Sequence, residues 1–262
     1  MNTIQIGEMK ELIQKLNEIP SHYIFRGHSN EQWKLLSTIE RMYIGQSADV
    51  IRRAEDYSIL EFKSKFHLYD NENRTPTTKL EWLSLMQHYG APTRLLDFTT
   101  SPYVALYFAI ETMLPQQEED PCVYALDYRA LIKTSIEALR TIDRDFNKSY
   151  EQVLKNQDEV FEAVVDRFSS DILWATEPSR VNLRLDRQAG CFLFSGRPGM
   201  TIETLLSSDR YGKVDYTKIV MDRTLYESIY ALLTKTNINS KVIYGDLSGL
   251  GRSIRMTLYA YK

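Results

Sequence analysis

The stretch HYGAPTRLLDFTTSPYVALYFA, residues 88–109, constrains the fold more than any other part of the chain. Pro102 stands at the first position of a predicted helix, and Ser101 stands at its N-cap. The residues that follow, 103–114, are apolar on most faces of that helix, so we expect the helix to be buried. The chain of 262 residues is long enough to supply a core of this kind.

Composition places the chain among ordinary globular proteins. Hydrophobic residues make up 43% and charged residues 26% of the sequence. A formal net charge of −3 provides no overall basic field for nucleic acid. No run approaches the about 20 apolar residues of a membrane span, and residues 1–16 lack the apolar core of a signal peptide. We therefore predict a cytoplasmic protein without a membrane partner.

Several catalytic and cofactor motifs are missing from the sequence. It contains no phosphate-binding loop of the G-x-x-x-x-G-K-[ST] type, no G-x-S-x-G, no C-x-x-C and no H-E-x-x-H. The segment GDLSGLGRS, 245–253, lacks dinucleotide spacing and is predicted to be a turn that caps the last helix. Cys122 and Cys191 lie in apolar runs and are predicted to be buried, reduced thiols. With four scattered histidines they form no metal set, so we predict no metal site.

Strands and helices alternate irregularly along the chain. We predict strands over 22–28, 122–128, 191–195 and 218–222, and helices over 7–18, 47–67, 80–90, 103–114 and 223–237. Residues 129–176 are predicted to be mostly helical. This order indicates the α+β class, a single domain with a mixed or antiparallel sheet flanked by helices, rather than a regular βαβ series.

Polar groups gather at the N-terminus of the buried helix. A helix start leaves backbone N–H groups unpaired and carries roughly half a positive charge. The hydroxyls of Thr99, Thr100 and Ser101 would join those groups, which predicts an anion or pyrophosphate site. Arg94 would add a bidentate contact, and Asp97 would hold Arg94 or a ribose hydroxyl. The structural alternative is a buried Arg94–Asp97 ion pair that fixes the turn, with Ser101 as an ordinary cap.

A second informative stretch is YIFRGHSNEQWKLLSTIER, residues 23–41. Arg26 ends an apolar strand and is either exposed by strand alternation or turned into a cleft. Gly27 permits the close approach of a ligand or a special backbone conformation. His28 follows, and a lone histidine is more often structural than catalytic. Trp33 is predicted to be a core residue.

Both stretches place polar groups at the ends of apolar elements. If the two stretches serve one site, these groups should meet on one side of the fold. The side chains predicted to converge on a single cleft are Arg26, His88, Arg94, Asp97, Thr99 and Ser101.

The two stretches resemble the FRG domain family, which is named for a Phe-Arg-Gly motif, here Phe25-Arg26-Gly27. The further matching motifs are Trp33, Glu40-Arg41, Gln87-His88-Tyr89-Gly90, Pro92-Thr93-Arg94-Leu95-Leu96-Asp97, Thr99, Ser101-Pro102, Ala105-Leu106-Tyr107-Phe108-Ala109, Arg187-Gln188-Ala189-Gly190-Cys191-Phe192 and Tyr244-Gly245-Asp246-Leu247-Ser248-Gly249-Leu250. In the last of these motifs, Gly245 replaces the usual proline. The resemblance implies an FRG domain over 22–262, preceded by an N-terminal helix and lead-in over 1–21.

The layout is also similar to that of ADP-ribosyltransferases, which implies an ADP-ribosyltransferase-like fold and NAD as the substrate that is cleaved. Those enzymes place an arginine or histidine at the end of a first core strand, a Ser/Thr motif before a helix, and a glutamate on a later strand. Arg26 matches the first position. Gln188 stands closest to the third, and a neutral amide supplies no countercharge to a cationic transition state. The alternative for Gln188 is a buried amide that satisfies backbone groups.

On this resemblance the catalytic candidates are Arg26, Asp97 and Gln188, and Asp246 is a further acid to test. The ligand-binding candidates are Gly27, His28, His88, Arg94, Thr99, Thr100, Ser101 and Asp246. One function class is an NAD-dependent ADP-ribosyltransferase-like enzyme that modifies a nucleic acid or protein target, in a setting of bacterial stress or phage defence. The other is a non-catalytic module that binds a nucleotide or a partner in the same cleft. A carboxylate within reach of Arg26 would distinguish them.

Overall fold

A seven-stranded mixed sheet forms the centre of the protein, whose computed structural model describes residues 2–70, 75–114, 116–177 and 183–260. The strands are β1 Asn2–Ile6, β2 Tyr23–His28, β3 Leu96–Thr99, β4 Cys122–Asp127, β5 Leu173–Thr176, β6 Gly190–Ser195 and β7 Tyr216–Met221. Their order across the sheet is β1-β7-β4-β2-β3-β6-β5. Neighbouring strands are antiparallel except β1 and β7, which are parallel. The predicted α+β class with a mixed sheet is confirmed.

Helices flank the sheet. In chain order the α-helices are α1 Met9–Glu18, α2 Thr38–Met42, α3 Ala48–Phe66, α4 Lys79–His88, α5 Pro102–Glu111, α6 Tyr128–Ile142, α7 Tyr150–Lys155, α8 Gln157–Val160, α9 Leu183–Arg187, α10 Ile202–Leu206, α11 Tyr226–Lys235, α12 Ser240–Tyr244 and α13 Leu247–Ala260. A π-helix spans Phe161–Asp166, and 3₁₀ turns span Asp209–Tyr211 and Arg223–Leu225. The predicted helices and the four predicted strands are confirmed, with ends shifted by a few residues.

Three strands, β1, β3 and β5, were not predicted. β1 pairs in parallel with β7, from Asn2 opposite Thr217 to Ile6 opposite Met221, so the N-terminal segment contributes an edge strand to the sheet. β5 lies at the end of the region 129–176, which was predicted to be mostly helical and also contains α6, α7, α8 and the π-helix. All of β5 is buried, so it lacks the alternation by which a half-exposed strand is recognised.

Strand alternation divides the core into two clusters on opposite faces of the sheet. Ile24 and Tyr124 belong to the cluster that includes the inner side of α6. Phe25 and Val123 belong to the other cluster, together with α5. Ala105 and six other residues of α5 are buried, as its apolar sequence predicted.

Capping residues define the ends of the key helices. Ser101 accepts a hydrogen bond from the Val104 N–H at 3.3 Å, and Pro102 is the first residue of α5. Asp246 accepts one from the Gly249 N–H at 2.9 Å at the start of α13. The predicted N-cap of α5 is confirmed, whereas most of the segment 245–253, which was predicted to be a turn, lies in α13.

Three further properties bear on function. No helix within the described ranges is long and apolar enough to cross a membrane. No group of three or more metal-ligating side chains occurs among the residues described. Cys122 and Cys191 are buried and free, and burial raises the pKa of the Cys122 thiol to about 12. The prediction of buried, reduced thiols is confirmed.

Candidate functional site

The glycine of the Phe-Arg-Gly motif lies where β2 packs against α5. A Cβ atom placed on Gly27 would stand 2.5 Å from the Ala109 backbone nitrogen and closer still to the Ala105 carbonyl oxygen. Phe25 faces α5 as well, since it belongs to the same core cluster. Because side chains alternate along a strand, Arg26 points to the opposite face of the sheet. Gly27 therefore permits the close approach of a helix backbone.

Arg26 lies where β2 and β3 separate. The two strands share a single register pair, Phe25 with Thr99, whereas β2 and β4 are paired along the whole of β2. Arg26 Nη1 donates to the Asp97 carbonyl oxygen at 2.6 Å, and Nε donates to His28 Nε2 at 2.8 Å. Both acceptors are neutral, and Arg26 forms no ion pair with any described residue. Its guanidinium is thus oriented by the fold without being neutralised.

The surroundings of Arg26 disfavour its charge. Burial lowers the pKa of Arg26 to about 10, although the nearby Asp97 opposes the shift. Burial and the neighbouring Arg26 together lower the pKa of His28 to about 3, so His28 is neutral at pH 7. His28 accepts through Nε2, which assigns its proton to Nδ1. The positive charge of Arg41 lowers the pKa of both side chains further.

Trp33 lies beside His28 and is 53% exposed, so the prediction of a core residue is wrong. Its ring packs against His28 at 6.1 Å between centroids, in an edge-to-face arrangement. The Trp33 N–H donates to Asn30 at 3.2 Å, and its carbonyl oxygen accepts from the Tyr124 hydroxyl at 3.2 Å. The Arg26 cleft, as we use the term, consists of Arg26, His28, Trp33, Arg41 and Tyr124.

Arg94 is buried away from Asp97. Its Nε donates to both carboxylate oxygens of Glu55 at 2.8 Å, and its Nη2 pairs with Glu55 and, at 2.8 Å, with Asp166. Burial disfavours its charge, but the two carboxylates outweigh burial and raise the pKa of Arg94 above its ordinary value. The predicted alternative of a buried ion pair holds for Arg94. The predicted partner, Asp97, is wrong.

Asp97 is exposed on β3. Its Oδ1 accepts from Gln87 Nε2 at 2.7 Å, so its side chain is connected to α4. Its carbonyl oxygen is the group that orients Arg26. The transferase hypothesis requires an acid near Arg26, and Asp97 offers an exposed carboxylate on the neighbouring strand.

The hydroxyl-rich segment bonds mainly to the protein itself. The Thr99 hydroxyl donates to the Gln188 carbonyl oxygen at 2.7 Å, and the Thr100 N–H donates to Ala189 at 2.9 Å. The Ser101 hydroxyl caps α5, on the face of the sheet opposite the Arg26 side chain. Gln188 Nε2 is buried without a hydrogen-bond partner among the described residues, so the side chain does not satisfy backbone groups through this nitrogen.

His88 and Asp246 form part of a different polar group. His88 ends α4, and burial and Arg184 lower its pKa while Asp246 opposes the shift. Asp246 accepts from the Ser248 hydroxyl at 2.6 Å as part of the cap of α13, and these bonds lower its pKa. Asp246 is therefore occupied as a helix cap.

The structure brings together only part of the predicted set. Arg26, His28 and the Asp97 backbone meet where β2 and β3 separate, while Thr99, Thr100 and Gln188 contact one another at the end of β3. Arg94 is enclosed by carboxylates, and Ser101 lies across the sheet. The prediction that six side chains share one cleft is wrong, and the individual catalytic and binding roles stay predictions. Trp33 was missed as a site residue because tryptophan is most often buried.

The fold and the cleft define an α+β protein with an oriented but unpaired arginine at the centre of its sheet. Comparison with protein families gives a match to the FRG domain over residues 21–118. That range includes the Phe-Arg-Gly motif and the start of α5, whereas the motifs near Gln188 and Asp246 lie beyond it. Comparisons with curated proteins and with solved structures find no match to the chain.

Proposed function

We propose that the Arg26 cleft binds a nucleotide through its phosphate, with NAD as the first ligand to test. The observation that carries the proposal is the half-buried Arg26 guanidinium, held by two neutral acceptors and without an ion-pair partner among the described residues. A buried charge is normally paired, because removing it from water is costly. A bound anion would supply the missing partner.

The neighbouring groups favour an anion over a cation. Arg41 adds a second positive charge, and His28 is neutral at pH 7 and so adds no charge of either sign. A hydrogen bond between an arginine and a charged acceptor contributes about 1.5–3 kcal/mol. Guanidinium also matches the planar, two-pronged geometry of phosphate oxygens. A pyrophosphate-containing nucleotide fits these requirements.

ADP-ribosyl transfer to a nucleic acid or protein target is the second candidate function, in a setting of bacterial stress or phage defence. NAD as the substrate would supply a cleavable bond between C1′ of the ribose and the nicotinamide nitrogen. Arg26 would bind its phosphate, and Asp97 would face the developing positive charge. The exposed carboxylate of Asp97, next to the Arg26 contact, favours this candidate. Gln188 argues against it, because an amide carries no countercharge.

Calorimetric titration with NAD, ADP-ribose and pyrophosphate tests binding. We expect Arg26→Gln to weaken all three by about 10-fold or more, since the loss of one charge-assisted contact removes about 1.5–3 kcal/mol. Arg210→Gln is the matched control, because Arg210 is an exposed arginine that donates to the Asp171 carbonyl oxygen at 2.7 Å. Equal affinities for wild type and Arg26→Gln would refute the proposal.

Nicotinamide release distinguishes the two candidates once binding is established. An enzyme should release nicotinamide from NAD when its target is present, and Asp97→Asn should slow that release without weakening NAD binding to the same extent. Release that is equally fast in the Asp97→Asn variant would remove Asp97 from the chemistry. Binding without release across nucleic acid and protein targets would favour the non-catalytic module.

A further inference from the structure

We infer that Trp33 is the platform on which the base of the ligand stacks, so the Arg26 cleft selects anions that also carry an aromatic ring. The inference rests on the proposed function and deepens it. It assigns the ligand class as a nucleotide rather than a sugar phosphate or a free phosphate. It also assigns to one residue the discrimination between them.

Trp33 is exposed, unlike the other two tryptophans. Trp33 is 53% exposed, whereas Trp82 is 6% and Trp174 0% exposed. Indole is a large apolar surface, and leaving it in water forgoes burial that the other two tryptophans obtain. An exposed aromatic ring that flanks an anion-binding group is the arrangement by which proteins stack nucleic acid bases.

Neighbouring groups hold the Trp33 ring in place. The Trp33 backbone is fixed on both sides, by Asn30 and by the Tyr124 hydroxyl. The Trp33 ring and the His28 ring pack in an edge-to-face arrangement, and His28 packs in turn against Tyr124 at 5.3 Å between centroids. A platform that is already ordered loses little conformational entropy when a ligand binds.

His28 connects the Trp33 ring to the Arg26 guanidinium. His28 contacts both groups, because its ring lies beside Trp33 and its Nε2 accepts from Arg26. One side chain therefore separates the aromatic surface from the guanidinium. A nucleotide has the same layout, since a single ribose separates its base from its phosphate. His28 is neutral and so adds no charge between the two subsites.

Paired titrations test the inference with AMP and ribose 5-phosphate, which carry the same phosphate and differ by the base. We expect wild type to bind AMP roughly 5- to 150-fold more tightly, the range that one stacked base provides. Trp33→Leu should lose that preference while its affinity for ribose 5-phosphate stays unchanged. Tyr57→Leu is the matched control, because Tyr57 is an exposed aromatic residue (67%) on α3, outside the cleft.

Intrinsic fluorescence provides an independent readout, because only Trp33 of the three tryptophans is exposed. AMP should quench the wild-type emission, ribose 5-phosphate should not, and Trp33→Leu should show no quenching by AMP. Retention of the AMP preference by Trp33→Leu would overturn the inference alone and leave the phosphate site standing. Failure of wild type to bind either ligand would overturn the proposed function and this inference with it.

Discussion

Replacing Gly27 by alanine tests the packing on which the whole site depends. The added Cβ would stand 2.5 Å from the Ala109 nitrogen and closer to the Ala105 carbonyl oxygen, and both are backbone atoms that no side-chain rotation can move aside. β2 has little freedom to withdraw, because β4 pairs with it along its full length. The helix has little freedom either, since most of α5 is buried. The strand and the helix must therefore separate.

The expected cost follows from these contacts. Overpacking a close-fitting core costs about 1–3 kcal/mol, and two backbone contacts favour the upper end. A glycine-to-alanine change returns at most about 1 kcal/mol through the unfolded chain. We therefore expect the free energy of unfolding to fall by about 2 kcal/mol. At about 2–4 °C per kcal/mol for a chain of this size, Tm should fall by about 4–8 °C.

Urea and thermal denaturation followed by circular dichroism measure both quantities. Gly251→Ala is the matched control, because a Cβ at Gly251 meets no atom within 4 Å and Gly251 lies in α13. That change should stabilise the protein by about 0.5–1 kcal/mol through helix propensity. If Gly27→Ala is as stable as wild type while the control behaves as expected, α5 does not pack against β2 as described.

Glu55→Gln and Asp97→Asn test which carboxylate pairs with Arg94, through the free energy of unfolding in urea. Glu55→Gln should lower this free energy by about 3–5 kcal/mol, because Arg94 would lose its bidentate partner in a buried position. Asp97→Asn, on an exposed side chain, should change it by no more than about 0.5 kcal/mol, and a larger loss for Asp97→Asn than for Glu55→Gln would contradict the pairing of Arg94 with Glu55. The pKa of His28 falls from 6.5 to about 3 on folding. Between these pH values His28 is therefore protonated in the unfolded chain and neutral in the folded protein. This difference has no effect on stability above pH 6.5, and it destabilises the folded protein increasingly as pH falls toward 3, by about 1.4 kcal/mol per pH unit. His28→Gln should flatten the stability profile between pH 6.5 and 4.5, and an unchanged slope would show that His28 is protonated in the folded state.

Features that depend on neighbouring residues were predictable from the sequence. The Ser101–Pro102 start of α5 and the stop of α4 before Gly90 are set by local backbone requirements, and Gly90 has the positive φ of 81° that favours glycine. The apolar character of α5 likewise predicted its burial. In each case the signal and the structure it specifies lie within one helical turn or one helix.

Features that depend on distant residues were not predictable. Whether β1 and β3 form strands depends on the edges that β7 and β2 offer, and those edges lie far away along the chain. The partner of Arg94 is Glu55, 39 residues earlier, while sequence reasoning selected the nearest carboxylate. Proximity along a chain is a poor guide to ion pairs in a sheet protein, since the sheet order joins segments from every part of it.

Arg26 and Arg94, two of the arginines in the matched family region, have different roles. Arg94 follows a turn whose neighbours α3 and the π-helix each supply a carboxylate, so its charge is neutralised within the protein and serves to hold elements together. Arg26 extends from a strand into a gap between strands, where the acceptors are a backbone oxygen and a neutral imidazole. The same side chain is therefore a structural tie in one place and an unpaired, oriented cation in the other. Arg94 is buried and already paired with two carboxylates, whereas Arg26 is half-buried and has no ion-pair partner among the described residues, so the proposed function rests on Arg26 and not on Arg94.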